Sequence, residues 1–182
     1  MNHKKKCIKI LNKRFGKKIT VVKNGVSNKI EKRTFYISNA NTLSSFSKKW
    51  IDSVKNNRFN GLSWSPSEEV SMITLDLAIS KYGKPSFIKI DVEGFELEVL
   101  EGLNEVINFI SFEYTTPEQN NDAIKCVKRI LLLKSTATFN YSIGESMDFK
   151  FTNWINGTQM IEHIKSLDFE QSGFGDIYAN LK

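Results

Sequence analysis

Apolar positions along the chain come in two rhythms. Residues 4–15 place Ile8, Leu11 and Phe15 at helical spacing, with Gly16 as a stop. The run 19–22 reads as a strand followed by a turn at Asn24–Gly25, and "KRTFYIS" (32–38) as a second strand. The short Asn/Gly/Ser link between them predicts a hairpin-like pair at a sheet edge. Residues 39–69 are the least regular stretch, rich in Ser and Asn, with Trp50, Trp64 and one helix over 43–54. Residues 70–73 look extended, and Thr74 caps a short helix over 75–81 that ends at Gly83. "SFIKID" is a strand of buried character, and 95–109 a helix with Val99, Leu103, Val106 and Ile110 on one face. "ISFEYT" is the next strand. Pro117 opens a helix running to about residue 133. "ATFNYSIG" is a strand, 154–167 contains a helix, and "GDIYANLK" closes as a strand. From residue 70 onward strand and helix alternate, which predicts an α/β fold with a largely parallel sheet in one domain spanning 1–182.

The 182 residues suffice for one core, and 40% hydrophobic content fits a globular chain. No apolar run approaches the ~18 residues of a spanning helix. The basic start lacks the long apolar core of a signal peptide. Two cysteines, Cys7 and Cys126, are too few for a disulfide framework, and the expected compartment is the cytoplasm with both thiols reduced. The net charge of +6 is uneven: residues 1–33 hold 12 Lys/Arg against the single acid Glu31, and the remainder holds 14 against 19. Such asymmetry fits either a solvated basic helix or a surface for polyanions. No nucleic-acid-binding motif accompanies it.

The chemistry gathers at "FIKIDVEG". In open α/β sheets ligands bind beyond the carboxyl ends of strands. Side-chain alternation puts Lys89, Asp91 and Glu93 on one face if the strand persists, and Glu113 ends the next strand. Three carboxylates and an ammonium would then converge, with Lys89 favouring the ionised acids. Glu96 falls in the first helical turn, near the positive end of the dipole. The same acids serve equally well as capping groups. A hard divalent cation is chemically allowed, but the spacing is not diagnostic and no metal is assigned.

"FIKIDVEGFELEVLEGL" resembles the signature segment of the FkbM-type methyltransferases at Phe87, Lys89, Asp91, Glu93, Gly94 and Glu96. "MITLDLAI" is similar to the family's Thr-Leu-Asp element, at Thr74, Leu75 and Asp76, and "ISFEYT" to its next strand, with Glu113. "ITVVKNGVSNK" followed by "FYIS" is similar to its third strand and the segment beyond, so the likeness spans about residues 8–116. The resemblance implies a Rossmann-like class I methyltransferase fold using S-adenosylmethionine, with a sugar or small-molecule hydroxyl as acceptor. It implies that Asp91 and Glu93 are catalytic and that Glu113 and Lys89 belong to the substrate pocket.

One family element is missing. The usual glycine-rich turn after a first strand does not occur, and the one G-x-G is "GFG" at 173–175. The chain therefore reads as an N-terminally truncated domain with the first two strands absent and no identifiable cofactor-binding residues. The unpaired sheet edge this leaves would favour self-association. The competing reading is a non-catalytic basic α/β module that binds nucleic acid or an anionic surface through residues 4–33.

Overall fold

The structure is a computed structural model that describes residues 3–182, with side chains from Cys7 onward apart from 67 and 68. In chain order the elements are α1 (His3–Phe15), β1 (Gly25–Val26), β2 (Lys32–Ser38), α2 (Lys48–Val54), β3 (Trp64–Ile73), α3 (Leu75–Tyr82), β4 (Phe87–Ile90), α4 (Glu96–Glu101), β5 (Phe109–Thr115), α5 (Asn120–Leu133), β6 (Thr138–Ile143), β7 (Ile155–Asn156), α6 (Gly157–Ile164), α7 (Leu167–Glu170) and β8 (Phe174–Asn180). No helix among the described residues is long and apolar enough to cross a membrane.

The principal sheet has the order β4-β5-β8-β6-β7. β4 and β5 are parallel, whereas β8 runs antiparallel to both of its neighbours, β5 and β6. The sheet is therefore mixed, and the largely parallel arrangement expected from the alternation is corrected. Alternation of strand and helix reports element order. It does not report that the last strand slides between β5 and β6 in the opposite direction.

The second sheet, β1-β3-β2, corrects the expected hairpin. Residues 19–22 form no strand, and Ile19 and Val22 are exposed. The strand nearby is instead β1, which pairs parallel with the end of β3, while β2 pairs antiparallel along β3. Pro66 lies within β3 because the ladder is irregular there, between Thr34 and Tyr36, and β1 reaches only Met72 and Ile73 on the other side.

The helix expected over 95–109 stops at Glu101. A Cβ on Gly102 would lie 2.3 Å from the Ser27 carbonyl oxygen, so only glycine admits this crossing. The chain is then turned by the Asp76 carboxylate, which accepts from the Asn104 backbone N–H at 2.8 Å and its Nδ2 at 2.7 Å. Arg129 donates to the Leu100 and Leu103 carbonyls. Of the apolar residues that suggested a longer helix, Leu103 and Ile110 are buried past its end, Ile110 in β5, whereas Val106 is exposed. The expected 43–54 helix is likewise shorter, because α2 begins only after the Ser47 cap.

Alternation divides the main sheet into unlike faces. Ile90, Ile110, Phe112, Tyr114, Phe139, Tyr141, Ile177 and Ala179 form the core face. α5 meets it with Ala123, Cys126, Val127 and Ile130, spaced i, i+3, i+4 and i+7. Val70 and Met72 of the small sheet join the same cluster. The opposite face carries Lys89, Ser111, Glu113, Asp176 and Ser142.

Phe112 is fully buried at the centre of this core. Phe112→Ala should cost about 3–5 kcal/mol, read as a lowered urea midpoint at unchanged slope.

Candidate active site

β4 runs out at Ile90, and the next five residues turn the chain into α4. The turn needs two consecutive left-handed residues, Glu93 at φ 52° and Gly94 at φ 83°. For Glu93, with a Cβ, that conformation is unfavourable and must be held from outside. The Glu96 carboxylate does so from beneath. Its Oε1 accepts from the Val92 and Gly94 backbone N–H groups, both at 3.2 Å, and its Oε2 accepts from Gln119 Nε2 at 3.4 Å. Ser45 Oγ donates to the Glu93 carbonyl at 2.7 Å. Trp50 packs so tightly on Gly94 that a Cβ there would come within 2.3 Å of its ring.

The turn delivers its acids to the sheet rim. Asp91, Glu93 and Glu113 each place a carboxylate oxygen within 4.8 Å of the others. Lys89 Nζ lies 2.5 Å from Asp176 Oδ1 and 3.5 Å from Asp91 Oδ2, tying β4 to β8. Glu113 stands opposite Asp176 in the register. All four residues singled out in the sequence therefore meet, and Asp176 from the last strand joins them. Beside the rim a cavity of about 180 Å³ is lined by Glu113, Gly94, Glu96, Ser47, Lys49 and Gln119, among others. Asp91 and Glu93 do not line it. Asp91 is open to solvent, and Glu93 and Glu113 are partly buried.

These environments separate the protonation states. Burial, then the charges of Asp91 and Glu96, push Glu93 up to about 7. Burial, then Glu93, Asp91 and Glu96, push Glu113 up to about 9, against a smaller opposing pull from Lys89. Glu96 rises to about 7 by burial, although its backbone hydrogen bonds oppose this. Burial acts to lower Lys89, but the hydrogen bond to Asp176 and the surrounding acids outweigh it and the pKa is raised. At neutral pH the rim thus holds a neutral Glu113, a Glu93 near half ionisation and a fixed cation. Asp91, Glu93 and Glu113 are spaced closely enough to share a hard divalent cation, whose oxygen ligands sit at ~2.0–2.6 Å.

Reasoning from sequence missed the holders of the turn. Ser45 and Trp50 lie in the irregular 39–69 stretch, where nothing in the local pattern ties them to a turn about 45 residues further on. Glu96 carried a signal, an acid two residues past a glycine, but it is buried beneath the turn and is no exposed dipole partner. Asp176 looked like an ordinary polar position of the closing strand.

The sequence matches the profile of the Methyltransferase FkbM domain over residues 4–181, and the chain belongs to that family. The match reaches beyond the 8–116 segment where the likeness is visible by motif. No curated protein and no solved structure matches the chain.

The raised acids make a pH prediction. A carboxyl whose folded pKa exceeds its unfolded value costs stability progressively as pH rises from the unfolded pKa through the folded one. Stability should fall as pH rises from about 4.5, through 7 for Glu93 and Glu96, to 9 for Glu113. Glu113→Gln should therefore raise the thermal midpoint relative to the parent at pH 8.5, and the difference should vanish at pH 4, both read by calorimetry.

Proposed function

We propose that the rim handles the acceptor in an S-adenosylmethionine-dependent O-methyl transfer, the acceptor being a hydroxyl on a sugar or another small molecule. The supporting observation is the convergence of three carboxyls at one strand exit, where burial raises Glu93 and Glu113. O-methylation needs a group that takes the hydroxyl proton and groups that hold the oxygen in line. Glu93, poised near neutrality, suits the first task. Asp91, beside Lys89, orients the hydroxyl, and the neutral Glu113 donates a hydrogen bond to a neighbouring acceptor oxygen. Lys89 is tied to Asp176 and Asp91, so it sets the field and attacks nothing.

The cavity beside the rim does not hold the whole methyl donor. The cavity of about 180 Å³ is smaller than the ~300 Å³ of the least roomy ligand pockets. Gly94, the one glycine in its wall, is covered by Trp50 and offers no bare backbone to an adenosyl group. No step is therefore assigned to the donor, and the residues named act on the acceptor alone.

The test is transfer of labelled methyl from S-adenosylmethionine to a panel of glycosides and small alcohols. Parent protein should methylate at least one of them. Asp91→Asn should lower that rate by about 100-fold or more while leaving the thermal midpoint unchanged. A parent protein inert toward every acceptor, or an Asp91→Asn protein of full activity, would overturn the reading. Steeply salt-dependent binding of duplex nucleic acid by an inert parent would favour the basic segment 4–33 as the functional element.

A further inference from the structure

We infer that Glu96 is a positioning residue: its buried carboxyl holds the 91–94 turn so that Asp91 and Glu93 face the rim. The inference rests on the transfer reading above, but the geometry behind it stands apart from that reading. Glu96 is only 5% exposed, and its carboxyl accepts from Val92, Gly94 and Gln119 inside the protein. One oxygen collects the Val92 and Gly94 N–H groups, which flank Glu93 on both sides. Those two donors sit at a strand exit, where no ladder partner reaches them. Burying either without an acceptor would cost free energy, so the carboxyl and the turn require each other.

The second oxygen is tied to Gln119, just ahead of α5. The clamp thus connects the turn to the main core helix rather than leaving it on a short helix end. The opposite side is closed by Ser45, through the Glu93 carbonyl, and by Trp50, against Gly94. Held on both sides, Glu93 keeps its left-handed backbone, and its side chain leaves the turn toward Glu113. Without the lower clamp the turn can relax to the common right-handed conformation. That change would swing the Glu93 and Asp91 carboxyls away from Glu113 while leaving β4 and α4 in place.

The experiment compares Glu96→Ala, Glu96→Gln and Ser45→Ala by steady-state methyl transfer and by amide hydrogen exchange. The glutamine oxygen can still accept from both N–H groups. Glu96→Gln should therefore keep slow exchange at Val92 and Gly94 and hold kcat within about fivefold of the parent. Glu96→Ala should lose that protection and lower kcat by about 100-fold, with the acceptor KM within about threefold. Ser45→Ala keeps Glu96 and serves if the alanine variant does not fold; it should lower kcat by about tenfold at unchanged KM. An alanine variant with parental kcat, a glutamine variant as poor as alanine, or fast exchange at Val92 and Gly94 in the parent overturns the inference. If the parent transfers no methyl group the transfer reading falls, and the exchange data alone then decide the clamp.

Discussion

A carboxyl with almost no access to water is costly unless its oxygens are satisfied. In this protein one such group, that of Glu96, lies beneath the turn that joins β4 to α4. The turn carries two left-handed residues, one of them a glutamate, and such a backbone persists only where its surroundings over-determine it. Each feature resolves the other's difficulty. The acid is satisfied by backbone N–H groups that would otherwise be stranded, and the turn gains the acceptor that fixes its shape. The arrangement of the rim follows from this pairing.

The rim in turn depends on competition between desolvation and charge. Three carboxyls within 4.8 Å cannot all ionise cheaply in a partly buried setting. Lys89 offsets part of that cost, but its shortest contact goes to Asp176 on β8 and its longer one to Asp91. Glu113 is left to bear the burial and the neighbouring charges, and it holds its proton most firmly. One surface thereby presents Glu113 raised to about 9, Glu93 raised to about 7 and the exposed Asp91. The antiparallel insertion of β8 matters here, because it brings Asp176 opposite Glu113.

The scaffold around the rim is uneven. The helix-covered face of the main sheet is closely packed, whereas the other face leaves Phe87 and Phe149 well exposed beside Trp154 and Tyr178. β4 pairs with β5 alone among the described strands. The small sheet meets the main one through Val70 and Met72 in the shared core, and its linking segment supplies Ser45 and Trp50 to the turn. The stretch with the least regular sequence therefore performs a structural task at the site.

Local pattern was enough to place most elements and the four candidate residues. Thr74 caps α3 and Gly83 ends it, β2 spans the residues its alternation marks, and α5 shows its apolar stripe in the sequence alone. The "FIKIDVEG" motif named both the family and the location of the acids. What the sequence left open depends on partners distant along the chain. Gly102 meets Ser27, Glu93 is held by Ser45, Lys89 pairs with Asp176, and β8 chooses its direction between β5 and β6. Periodicity reports how one residue relates to those within a turn or a pleat of it. Strand direction, the truncation of the 95–109 helix and the protonation of Glu113 are set by atoms tens of residues away, and only the folded chain brings those atoms together.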